Sequence, residues 1–80
     1  MTAHLSLHCY LQDEAAERPL PCSDVTIHAD PATLRAIARF LLASADTFEQ
    51  AQDRAGMHAH LQDEWDGGQD DFPDLIVVAA

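Results

Sequence analysis

Two histidines one residue apart, His58 and His60, are followed by Asp63, Glu64 and the only tryptophan, Trp65. The stretch concentrates side chains able to do chemistry. Imidazole is a ligand for zinc, copper or nickel. On a strand, alternate residues share one side, so His58 and His60 would stand about 7 Å apart in Cα position. An ion held there would need His8, His28 or an acid from a neighbouring strand to complete its shell. H-x-H alone completes no site, and polar residues on an open sheet face are the plainer reading.

The acids offer a second chemistry. Asp13/Glu14 and Asp63/Glu64 are adjacent pairs. Neighbours on a strand point to opposite faces, so neither pair is spaced to share a proton. There is no G-x-S-x-G, no glycine-rich phosphate loop and no H-E-x-x-H. Ser6, Ser23 and Ser44 lie in no nucleophile context. The residues therefore point away from an enzyme and imply no cofactor. Asp63, Glu64, Asp66, Asp70, Asp71 and Asp74 crowd one segment, with Trp65 and Phe72 interleaved. That segment lacks the order of a calcium loop. Aromatic rings that bury area, among carboxylates that steer and pair with Lys or Arg, suit docking on a basic protein. The plainer alternative is that Trp65 and Phe72 cap the core while the acids stay solvated.

Charge supports the docking reading. Fourteen acids face four arginines, lysine is absent, and the formal net charge is −10. Such a balance argues against binding a nucleic-acid backbone and favours a basic protein partner, or simply solubility. No apolar run approaches the ~20 residues of a membrane span, and "LSLHCYL" is too short and polar for a signal segment. A cytoplasmic protein is expected. Cys9 and Cys22 are too few for a disulfide scaffold or a cysteine zinc site. Cys9 alternates with leucines and reads as a small core residue.

These groups must be held by a small framework. Residues 4–11 alternate, with Leu5, Leu7, Cys9 and Leu11 on one side, and residues 25–29 alternate with Val25 and Ile27 together. "ERPLPCSD" between them carries two prolines, which suit neither a helix interior nor a central strand. Asp30 is a good N-cap and Pro31 a good first helical residue. Leu34, Ile37, Ala38, Leu41, Ala45 and Phe48 then form an apolar stripe. A helix over about 31–52 is predicted, with Gly56 closing the region. Residues 57–61 and 74–80 read as strands three and four. The expected fold is α+β in the order β-β-α-β-β, one amphipathic helix packed on one face of a four-stranded sheet. Residues 1–80 form a single small domain.

The chain also writes one phrase twice. "HCYLQDEA" at 8–15 and "HAHLQDEW" at 58–65 share H-x-x-L-Q-D-E, and at the same offset of 50 Asp24, Val25, Ile27 and Ala29 meet Asp74, Leu75, Val77 and Ala79. Two similar hairpins, about 4–29 and 57–79, joined by the helix would explain this. Equal spacing implies equal parity, so Leu75 and Val77 should face the helix with Val25 and Ile27. All five histidines, with Ile76 and Val78, should then share the opposite face.

"DPATLRAIARFLLASAD", "HAHLQDE" and "DLIVVA" together resemble immunity protein family thirty-two of bacterial polymorphic toxin systems. The resemblance spans about residues 24–79: a D/E/P-containing turn, a helix with paired leucines, an H-x-H-L strand and a closing strand. It implies a small cytoplasmic protein that binds and neutralises a cognate toxin. His58 and His60 are the motif residues it carries over, with no role attached. A basic toxin, such as a nuclease domain, would complement the chain's acidity. Two other readings stay open. One is a metal- or ligand-binding domain built on His58, His60, His8 and His28. The other is a self-associating domain, for which a homodimer is possible.

Overall fold

The computed structural model describes residues 3–9, 20–65 and 72–80. The elements run β1 (His8–Cys9), β2 (Leu20–Pro21), α1 (Pro31–Gln50), β3 (His58–His60), α2 (Leu61–Glu64) and β4 (Ile76–Val78).

Helix α1 begins where the sequence predicts. The Asp30 carboxylate accepts from the Thr33 hydroxyl at 2.5 Å and from the Thr33 N–H at 3.4 Å, and Pro31 follows at the first position. The Thr33 hydroxyl, with smaller help from backbone N–H groups, holds the Asp30 pKa below its usual value against a rise from desolvation. Asp30→Ala should therefore fray the first turn. Amide exchange at Thr33 and Leu34 is expected to quicken while exchange near Phe40 does not change. Unaltered exchange at Thr33 would show the cap to be idle. The helix ends at Gln50, with the Ala51 N–H donating to the Phe48 carbonyl at 3.3 Å. Gly56 caps nothing: it sits at φ +80° in a separate turn closed by Met57 N–H to the Arg54 carbonyl at 3.0 Å. A side chain there would be strained, which is why that turn carries glycine.

Among the described residues the four-stranded sheet is not formed. β1 pairs antiparallel with β2, β3 pairs antiparallel with β4, and the two pairs are separate sheets. Alternation in a sequence reports which side of a segment is apolar; it does not report how many neighbours the segment has. Residues 25–29 alternate yet form no strand, and Val25 and Ile27 are exposed. β1 instead pairs with the proline segment, His8 opposite Pro21. The Cys22 N–H donates to the Leu7 carbonyl at 3.0 Å, so the next rung, His8–Pro21, is a non-bonded one. The missing proline N–H costs nothing there. The two pairs also differ in register. His58 lies opposite Val78, which the 50-residue offset would translate into His8 opposite His28.

The helix turns a different face inward from the one its leucines mark. Ala36, Phe40 and Ser44 are buried, flanked by half-buried Thr33, Ile37 and Phe48, whereas Leu34 and Leu41 are each 44% exposed and Leu42 is 69% exposed. Across from the buried face stands the β3–β4 hairpin with α2, whose Leu61 is buried. Here alternation holds: Met57, Ala59, Leu75 and Val77 are half-buried, while His58, Ile76 and Val78 are exposed. Among the described residues, no helix is long and apolar enough to cross a membrane.

Candidate functional site

The segment that the sequence marks for chemistry is the turn leaving β3. "LQDE" is one turn of helix, α2, rather than the entry to a loop. Leu61 anchors it by burying its side chain. The Trp65 N–H donates to the Leu61 carbonyl at 3.0 Å and closes the turn. The Leu61 N–H donates to the Leu75 carbonyl at 2.8 Å and ties the turn to the approach of β4.

A second tie comes from Asp74. One carboxylate oxygen accepts from the Gln62 N–H at 3.2 Å, which caps α2 from across the hairpin. The other lies 2.6 Å from His60 Nδ1, an ion pair whenever that imidazole carries its second proton. Burial pushes the Asp74 carboxyl up, but the His60 hydrogen bond, the Gln62 and Leu75 N–H groups and the His60 charge pull harder. Its pKa lies below the ordinary carboxylate value. Asp74 is thus not one more solvated acid of the 63–74 segment. The signal was available in parity, since residues 74, 76 and 78 share a face with His60 and His58.

The histidines divide between two places. His58 and His60 stand together, ring centroids 5.4 Å apart and edge to face. His58 Nδ1 lies 3.2 Å from the Gly56 carbonyl and His60 is turned to Asp74. His8 is exposed on β1 in the other sheet, and His28 is exposed in the segment before α1. Among the described residues no sheet face is common to all five histidines, because β1 and β3 lie in separate sheets. Among the described residues, no group of three or more His, Cys, Asp or Glu side chains is arranged to hold a metal ion. Cys9 and Cys22 are free thiols. Desolvation first, then the neighbouring Cys9 and Asp24, raises the Cys22 pKa.

Of the residues that the sequence marks for docking, Asp63, Glu64, Trp65 and Phe72 lie at the end of the second hairpin. Asp63 and Glu64 are exposed on α2; Trp65 is half-buried; its ring lies 6.2 Å from that of Phe72, tilted by 30°. Asp66, Asp70 and Asp71 lie outside the described residues. Beside Trp65 a groove of about 340 Å³ opens between α1 and β3, walled by Phe40, Phe48 and Met57 with Arg39, His58 and Glu64 at its polar positions. Of the helix residues of this groove, the apolar stripe in the sequence marked Phe48 and missed Phe40, because the leucines drew the inward face elsewhere.

The family model described as Immunity protein 32 matches residues 24–79, more than two thirds of the chain. The chain belongs to the immunity protein 32 family. The match bears out the resemblance carried by the helix, the H-x-H-L strand and the closing strand. It takes in α1, β3, α2 and β4, hence the groove, the Asp74 clamp and the Trp65 turn, and leaves β1 and β2 outside. No curated protein and no solved structure matches the chain. Within this immunity protein, the family segment holds both the β3–β4 hairpin, where alternation and pairing agree, and residues 25–29, which alternate without pairing.

Proposed function

We propose that this immunity protein neutralises a cognate toxin in the cytoplasm, without catalysis of its own. It does so by docking the end of its second hairpin on a basic surface of that toxin. The observation that carries the reading is the placement of Trp65. The indole stands beside Phe72 on a turn whose outward residues, Asp63 and Glu64, are carboxylates. An aromatic anchor supplies the area that a partner desolvates. Acids around it, with Asp66, Asp70 and Asp71 extending the run, speed encounter with a positive surface. Family membership supports an inhibitor, and the net charge of −10 supports a basic target.

The test is recovery of the tagged chain from its native cell, followed by binding kinetics with the captured partner. The expected partner is a basic protein carrying a toxin domain. Glu64→Lys should slow association about tenfold at low salt, with little change in dissociation. Added salt should shrink that difference. Capture of no basic partner, together with a neighbouring gene that encodes no toxin domain, would overturn the proposal.

A further inference from the structure

The leucine stripe of α1 faces away from the core. Leu34, Ala38, Leu41 and Ala45 follow one another at spacings of four and three, the pattern of a helix-pairing seam, and all four are exposed. Leu42, beside the seam, is the most exposed leucine of the helix at 69%.

The residues bordering the seam say what would cover it. Arg35, Leu42 and Glu49 recur every seven residues along one flank. This row reads the same under a two-fold axis through Leu42 with the charges exchanged. In an antiparallel pair of helices, residues on the same flank meet. Leu42 would then meet its own copy, and Arg35 would meet Glu49 of the second chain, about 10 Å to either side at ~1.5 Å per residue. A parallel pair would instead set this flank against the opposite flank of the second helix, Ile37 and Ser44, where neither charge finds a partner. Two features of the single chain point the same way. Arg35 and Arg39 are like charges four apart, which is unfavourable on one helix. The last turn of α1 carries Glu49 and no basic residue, which opposes the helix dipole. Among the described residues, neither Arg35 nor Glu49 has an ion-pair partner within the chain. A second copy would correct both.

We infer that α1 is a self-association surface, on which a second copy of this chain packs antiparallel through Leu34, Leu41 and Leu42 with reciprocal Arg35–Glu49 pairs. The surface is distinct from the Trp65 turn, so a dimer would present two toxin-docking ends.

Sedimentation of the full chain over about 1 to about 300 µM tests this in the absence of any toxin. A monomer–dimer equilibrium is expected. Leu42→Glu should abolish the dimer, with circular dichroism confirming that the helix persists. Arg35→Glu should weaken the dimer about tenfold, and adding Glu49→Arg to it should restore the affinity to within about twofold. This exchange involves exposed side chains only, so it reads the surface even if Leu42→Glu unfolds. Val78→Glu, on the exposed face of β4, should leave the dimer intact. Several results would overturn the inference: a monomer at every concentration, an Arg35→Glu/Glu49→Arg chain no tighter than Arg35→Glu, or a dimer broken by Val78→Glu. So would a stripe that captures only the toxin. Failure here leaves the Trp65 reading standing, and failure of toxin capture leaves this one standing.

Discussion

Replacing Phe40 by alanine is expected to lower the stability of the fold by about 3 kcal/mol and its melting temperature by roughly 12 °C or more. Phe40 is 4% exposed and is the largest side chain of a small core, which also holds Ala36, Leu61 and the hydroxyl of Ser44. Truncation removes the largest side chain that α1 buries. Phe40 also walls the groove, so the space it vacates opens to water and needs not remain a void. That relaxation places the cost near the lower end of the range for phenylalanine. An 80-residue domain has about 4–12 kcal/mol in total, so the variant sits close to unfolding at growth temperature. Thermal circular dichroism measures the effect, with Leu5→Ala as control. Leu5 is 82% exposed, and its replacement should move the midpoint by about 2 °C or less. A Phe40→Ala midpoint within about 3 °C of the parent would mean that the inward face of α1 is not the one described.

Asp74→Ala should remove about 2 kcal/mol at neutral pH, because one carboxylate serves both His60 and the Gln62 N–H at 20% side-chain exposure. The pH dependence has a definite sign. The folded-state pKa of Asp74 is lowered, so its contribution is complete above the unfolded value near 4. It disappears as pH falls through the folded value. Asp74→Asn keeps an acceptor for Gln62 and loses the charge. It should be less stable than the parent at pH 7, lose stability less steeply below about pH 4, and meet the parent curve near pH 2. Some acid sensitivity should remain in the variant, since Asp30 is lowered as well. Urea titrations across that range give the curves. Parallel curves would remove Asp74 from the clamp.

The sequence was a good guide wherever a local device decides the outcome. The Asp30–Pro31 start of α1 is settled by hydrogen bonds within four residues. The second hairpin follows from alternation that its pairing respects, His58 opposite Val78 and His60 opposite Ile76. It was a poor guide where a choice between partners decides. Val25 and Ile27 carry the same alternation as Leu75 and Val77, yet β1 pairs with Leu20–Pro21, and no composition rule ranks those alternatives. The helix shows the same limit. Its apolar arc is wide enough to hold two faces, and hydrophobicity favours the leucines, but Phe40 is the residue that is buried while Leu34, Leu41 and Leu42 stay exposed. At the candidate site, Trp65, Asp63 and Glu64 were legible because aromatic and acidic types are rare together. Nothing in the type of Asp74 separates a clamping carboxylate from a solvated one, so only its parity with Ile76, across from His60, set it apart from the like residues around it.

The single turn from Leu61 to Glu64 has an evolutionary consequence. Leu61 serves the interior, and what Asp74 grips at position 62 is a backbone N–H that any residue except proline supplies. The side chains at positions 62–64 are therefore released from the duty of holding the fold. An inhibitor locked in rivalry with a changing toxin can rewrite those three letters and keep its architecture, so variation among relatives should concentrate there while positions 61 and 74 stay put.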